Sequence, residues 1–246
     1  MRVFLLDSDF DISKPYSLKS REKNYLGKVL RLSPGTVFTA KDRNDNFFEA
    51  TLIDEETISL KPTERPEDIL LDSLSSYKGS FAHINVYVSM LKGKKNETVV
   101  RALTEIGVSS ITFIETEFVQ EKSLSMHQRE RLEIILKEAV QQSGGKAPEL
   151  NGPKMFSEAI LEARGSKLIL HQSSRARTID IFEALKDCDI NSEISLFIGP
   201  EGGFSDAECE FAEDNGARPI LLRTNILRAE TASIYASSVV QSILHH

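Results

Sequence analysis

The 246-residue sequence contains no tryptophan and only two cysteines, Cys188 and Cys209. Neither lies in a C-x-x-C pair or near a histidine cluster at ligand spacing, so neither a disulfide framework nor a metal site is expected. Long apolar runs are also missing. The longest is the four residues Val3 to Leu6, against about 20 needed to span a bilayer, so no membrane partner is expected. The opening MRVFLLDSDFD turns acidic by Asp7 and lacks the apolar stretch and small-residue cleavage site of a secretion signal. A cytoplasmic protein is expected.

Hydrophobic residues make up 40% and charged residues 27% of the chain, a balance that supports a packed core. Length allows one or two domains. Acidic residues outnumber basic ones 37 to 30, for a formal net charge of −7. One segment runs against that trend: Ser13 to Arg31 carries Lys14, Lys19, Arg21, Lys23, Lys28 and Arg31 against the single acid Glu22, with Tyr16 and Tyr25 interleaved. RNA-binding surfaces are often composed this way. On charge alone a solvated helix face is the favoured reading.

Short apolar alternations at 37–40, 47–53 and 57–62, split by DRNDN and DEE turns, predict a small β-barrel or sheet over residues 1–72. Within it, 20–32 predicts a short helix with Tyr25, Val29, Leu30 and Leu32 on one face. The polar, proline-containing stretch that follows places a linker at 73–80. From residue 81 to 246 the rhythm becomes strand, helix, strand. Strands are expected at 83–90, 110–115, 167–171, 194–199 and 219–222, and helices at 96–107 and 127–142. The near-continuous apolar strands KLILH and ISLFIG are those of a parallel sheet covered on both faces. The fold class is therefore α/β.

The strongest local signal is ISLFIGPEGGFSDAECEFAEDNG, residues 194–216. A strand runs into Gly199-Pro200-Glu201-Gly202-Gly203, then into a helix with an S-x-x-E capping box at Ser205 and Glu208, a Phe204/Cys209 staple and a terminal Gly216. Glycines at a strand's carboxyl end permit close backbone approach to a bound group, and they equally permit a tight turn. The spacing is neither G-x-G-x-x-G nor that of a P-loop, so a nucleoside-like cofactor without a pyrophosphate fits better. The second signal is NILRAETASIYASS, 225–238, where Arg228, Glu230 and Thr231 open a helix rich in small residues. Taken alone, a surface ion pair at a helix start is the favoured reading of this stretch. No G-x-S-x-G or H-E-x-x-H motif occurs, and His171 is the histidine at a strand's carboxyl mouth.

Together, IGPEGGFSDAE and ILRAETA resemble the SPOUT methyltransferases, specifically the RsmE family, which methylates N3 of one uridine in small-subunit ribosomal RNA. NYLGKVLRLSPGTVF near the start and LKGKKNETVVRALTEIGVSSITFIETEFVQEKS in the middle resemble the same family, so the likeness covers nearly the whole chain. The resemblance implies a SPOUT-type parallel sheet ending in a C-terminal trefoil knot, an exception to the rule against threading, preceded by a PUA-like β-barrel. It implies a homodimer, 16S rRNA in the small ribosomal subunit as partner, and the uridine at position 1498 in standard rRNA numbering as target. S-adenosylmethionine (SAM) is the implied cofactor, held by three loops. The first carries His171 and Gln172; the second Ile198, Gly199, Pro200, Gly202 and Gly203; the third Leu222, Ile226, Leu227, Thr231 and Ala232. Arg228, Glu201 and Glu230 are the implied catalytic group, and Lys19, Arg21, Lys23, Lys28, Arg31, Lys92 and Lys146 the implied RNA contacts.

Two stretches depart from the family pattern. Its E-Q-x-G-R is here Gln141-Gln142-Ser143-Gly144-Gly145, with Lys146 carrying charge one residue later, and a lysine does not reproduce a planar two-pronged contact. Its L-G-P-R is here Leu222-Arg223-Thr224-Asn225. A ribose 2′-O-methyltransferase of the same superfamily and a non-catalytic rRNA-binding assembly factor are the alternatives.

Overall fold

The two strand-bearing stretches form two separate sheets in the computed structural model, which describes residues 3–7, 10–64, 81–171 and 178–245. The expected linker 73–80 and the candidate Gln172 lie outside the described residues. The chain divides into two compact units, Met1–Lys78 with Val140–Lys146, and Gly79–Ala139 with Ala147–His246. The short return segment 140–146 is the difference from a linear division of the chain.

The first unit contains β1 (Phe4–Leu5), β2 (Tyr16–Ser17), α1 (Ser20–Asn24), β3 (Val37–Lys41), β4 (Phe47–Leu52) and β5 (Thr57–Thr63), in the sheet order β1-β3-β4-β5-β2. All its pairings are antiparallel except β1 on β3. The turns form because aspartates bond to their own backbone. Asp42 Oδ1 accepts from the N–H groups of Asn44 (2.8 Å) and Asn46 (2.9 Å), and Asp54 Oδ1 from those of Glu56 and Thr57 (2.8 Å each). Phe4, Tyr16, Leu26, Phe38, Phe48 and Ile58 fill the core.

The helix expected over 20–32 is shorter and changes pitch: α1 passes into a π-helical turn, Tyr25–Val29. Leu30 N–H bonds five residues back to the Tyr25 carbonyl at 2.9 Å, and the wider turn moves the apolar stripe. Leu26 is consequently buried and Val29 is 59% exposed, which corrects the expected face. Buried Glu22 accepts from the Tyr16 hydroxyl (3.1 Å) and from the Lys19 N–H (2.9 Å). Lys41, also buried, donates to Asp45 Oδ1 (2.9 Å) and to the carbonyls of Gly144 and Gly145, and so holds the 140–146 segment.

The second unit is built on seven strands: β6 (His83–Ser89), β7 (Ser110–Glu115), β8 (Glu149–Met155), β9 (Ser166–Leu170), β10 (Ile179–Asp180), β11 (Glu193–Ile198) and β12 (Arg218–Leu221). They pair in the order β10-β12-β9-β11-β6-β7-β8, every pairing parallel. Among the described residues the helices α2 (Lys95–Ile106), α3 (Met126–Ser143), α4 (Phe156–Glu162), α5 (Ile181–Leu185) and α6 (Asp206–Asp214) lie between them, and α7 (Ala229–Ile243) follows the last strand. Leu168, Ile169, Ile194, Leu196 and Phe197 of the central strands are fully buried, as expected for strands covered on both faces. The small-residue face of α7, with Ala232, Ser233, Ala236 and Ser237, is buried within the chain, where α7 packs against α2, β6 and β11. Small side chains therefore serve internal helix packing. Among the described residues no helix is long and apolar enough to cross a membrane.

Candidate active site

Because all seven strands run parallel, the carboxyl ends of β9, β11 and β12 share one edge of the sheet, where α/β folds collect ligand-binding loops. Half-buried His171 follows β9. After β11 the chain enters the 199–203 turn, closed by a 2.9 Å bond from the Gly203 N–H to the Pro200 carbonyl. Ile198, Gly199 and Pro200 are buried, whereas Glu201 and Gly202 are exposed. A Cβ on Gly199 would stand 3.0 Å from the Gly203 carbonyl carbon, so this glycine is required by the turn itself. Gly203 has φ +74°, which L side chains rarely adopt, and nothing within 4 Å of its open side. The glycines thus serve both the tight turn and an open approach.

Helix α6 begins as its capping box requires. Ser205 Oγ accepts from the Glu208 N–H (3.2 Å), and Glu208 Oε2 accepts from the Ser205 N–H (2.9 Å). The other oxygen of Glu208 accepts from the Glu117 N–H at 2.8 Å, which ties the 116–119 segment to the same corner. At the helix end the Ala217 N–H bonds to the Ala212 carbonyl and the Gly216 N–H to that of Glu213, both at 2.9 Å, a Schellman closure.

Glu201 of one loop meets Arg228 and Glu230 of the other at this edge around a cation that sequence reasoning missed, Lys95. Its ammonium contacts Glu201 and lies 3.9 Å from Glu230 Oε2. Lys95 holds the Glu201 carboxyl below the usual carboxylate range, and Glu201 raises the Lys95 ammonium in turn; Arg228 opposes that rise across the same cluster. Arg228 is the N-cap of α7, with an extended backbone and an exposed side chain that makes no capping bond. Its carbonyl accepts the Ala232 N–H at 2.8 Å. Glu230 Oε2 is buried without a hydrogen-bond partner. Lys92 is exposed near enough to Glu201 to help lower its pKa. The available signal for Lys95 was a cation in the first turn of a helix, where the backbone dipole favours an anion.

On the loop after β12, Leu222 and Leu227 are half-buried and Ile226 is 86% exposed, while Thr231, in the first turn of α7, is exposed. Arg223, at the departure from the family pattern, pairs with Asp180 at 2.6 Å and lies 5.1 Å over the Phe182 ring. It anchors the start of this loop to the end of β10, where a Gly-Pro pair would stiffen the backbone directly. Of the basic residues, Lys19, Arg21, Lys28 and Arg31 are exposed on and around α1, and Lys146 is exposed in the same unit. Lys19 pairs with Asp7 and Lys23 with Glu56, both at 2.6 Å.

An all-parallel sheet with glycine-bearing and arginine-bearing loops at its carboxyl edge is matched over residues 78–241 by the family described as RNA methyltransferase domain. That is the class of the protein. The ribosomal RNA small subunit methyltransferase E of Aquifex aeolicus is 32% identical over 168 residues, covering 65% of this chain and 68% of the relative. The protein of that name from Synechocystis is 28% identical over 235 residues, covering 95% and 75%. A solved methyltransferase structure from Legionella pneumophila, with SAM as its bound cofactor, aligns with a TM-score of 0.79 at 26% identity, covering 98% of this chain and 96% of that one. The chain belongs to the ribosomal RNA small subunit methyltransferase E family.

Proposed function

We propose that this protein methylates N3 of a single uridine, position 1498 in standard numbering, in the 16S rRNA of the small ribosomal subunit, with SAM as methyl donor. The observation that carries the reading is the convergence of Arg228, Glu201 and Glu230 at the carboxyl edge of the sheet in a chain of this family. The loops fit the donor. Gly203 leaves an open side, exposed Ile226 with Leu222 and Leu227 offers apolar cover for an adenine, and Glu230 presents a buried oxygen with no hydrogen-bond partner. In this reading His171, Gln172, Ile198, Gly199, Pro200, Gly202, Gly203, Leu222, Ile226, Leu227, Thr231 and Ala232 hold SAM.

When bound, SAM supplies a methyl group already activated by its sulfonium. What remains for the protein is to orient the acceptor, exclude water and manage one proton. Uridine N3 is nucleophilic once its proton has left, and the charge then spreads to the uracil oxygens. The exposed Arg228 guanidinium is placed to stabilise that charge or the adjoining phosphate. Glu201 and Glu230 set the two loops on either side of it. N3 lies on the pairing edge of the base, so the target uridine must be unpaired or turned out of its helix.

The five-stranded sheet is read as the PUA-like barrel, with the basic residues of α1 on phosphates and Lys92 and Lys146 as further contacts. A trefoil knot is supported by the strand order: β12 lies between β9 and β10, yet α7, which follows it, packs on β6 and β11. The chain therefore crosses back past β9. The enzyme is read as a cytoplasmic homodimer.

The test is incubation with SAM and small subunits lacking the mark, followed by mapping of reverse-transcriptase stops. One new SAM-dependent stop, identified as N3-methyluridine by mass spectrometry, is expected. An alkali-resistant ribose methylation without a stop would replace the reading with 2′-O transfer, and rRNA binding without SAM binding would replace it with an assembly role.

A further inference from the structure

We propose that Lys95 is a positioning residue for this reaction, joining the 199–203 loop to the start of α7 through the carboxylates of Glu201 and Glu230. The proposal rests on the reading of these loops as the methyl-donor site. Three segments remote in sequence meet at one ammonium, which contacts Glu201 and lies 3.9 Å from Glu230. The side chain of Lys95 is 32% exposed, that of Glu230 15% and that of Glu201 45%, so water screens the Glu230 side of this corner less than it screens a surface pair.

Three lysines, Lys92, Lys94 and Lys95, crowd the start of α2, and no side chain caps the helix there. Cations at a helix amino end oppose the backbone dipole. The arrangement costs α2 stability, and the return appears at Glu201 and Glu230 rather than in the helix. The acid of that first turn, Glu97, faces Arg131 at 3.3 Å instead. The base from which Lys95 reaches is also fixed. Buried Asn96 accepts the Leu91 N–H at 3.0 Å and donates to the Leu91 carbonyl at 2.8 Å, closing the 91–96 turn on itself. Without the ammonium, the carboxylates of Glu201 and Glu230 would lose the cation placed against both of them. Repulsion would then separate the loop from the helix.

Hydrogen exchange of the donor-free protein tests the joint itself. In Lys95→Met, peptides covering 199–205 and 228–232 are expected to exchange about fivefold faster, the loss of a partly buried ion pair. Lys95→Arg, which keeps charge and reach, is expected to restore most of the protection. Unchanged exchange in both peptides of Lys95→Met would overturn the proposal whether or not the protein binds a donor. Should Lys95→Met not fold, Glu201→Gln replaces it, and wild-type exchange in that variant would overturn the proposal equally. Calorimetric titration with SAM and steady-state rates on unmethylated small subunits follow. Donor Kd and KM are expected to rise about fivefold with kcat within twofold, rescued by arginine. A merely structural lysine would lower Tm and the active fraction and leave KM unchanged, which would also overturn it. Absence of SAM binding by the wild type would remove the functional reading, and the exchange data would still decide the role of Lys95.

Discussion

At the scale of single residues, Arg228 is the side chain whose proposed role and environment separate most cleanly. It is exposed and makes no capping bond at the start of α7, so the fold has little invested in it. Arg228→Ala is expected to lower kcat/KM at least about 100-fold, the scale of one lost charge-stabilising donor, with Tm shifting by less than about 2 °C. Single-turnover kinetics and a thermal melt check both halves of the prediction. Arg228, Glu201 and Glu230 were named from two short motifs that resemble the family's, and their roles stand as proposed above. Lys95 and the Asp180–Arg223–Phe182 anchor were not legible in the sequence, since their partners lie 106 and 43 residues away along the chain. No local pattern encodes which distant carboxylate an ammonium will meet.

Among elements, α6 tests how well local chemistry predicts local stability. Its capping box was readable from S-x-x-E and forms with both bonds in place. Ser205→Ala is expected to cost about 1 kcal/mol. Glu208→Ala is expected to cost more, because that carboxylate also accepts the Glu117 N–H. Urea titration of the two variants against wild type measures the order, and equal midpoints would remove the cross-segment bond from the account. Two other elements show where local reading ends. Strand β8, which carries Gly152-Pro153, is absent from the strands expected of the sequence, and it pairs with β7 through a register shift between Thr112 and Ile114. An edge position next to an irregularity tolerates the missing N–H. In α1 the apolar spacing predicted a regular helix, and the π turn moved burial from Val29 to Leu26. Packing into the core of the first unit overrode the 3.6-residue period.

For the whole molecule, net charge and local charge have opposite signs, and RNA binding should follow the local one. Neutralising Arg21, Lys28 and Arg31 together is expected to lower the slope of log Kobs against log salt by about 2, near 0.7 to 0.9 per lost phosphate contact. Filter binding to unmethylated small-subunit RNA over a salt series measures it, and an unchanged slope would return the patch to solvated surface. Lys19 and Lys23 are omitted because each already faces a carboxylate. The sequence by itself determined the α/β class, the central buried strands, the α6 cap and the two C-terminal motifs. Each of these is written in side-chain period or short spacing, which act over one or two turns of chain. Only the tertiary structure decided the strand order that brings β9, β11 and β12 to one edge, the inward turn of the small-residue face of α7, the return of residues 140–146 to the first unit, and the meeting of Lys95 with Glu201 and Glu230. These depend on contacts between segments far apart in the chain, and their energies arise when the parallel sheet and its crossovers are assembled as a whole.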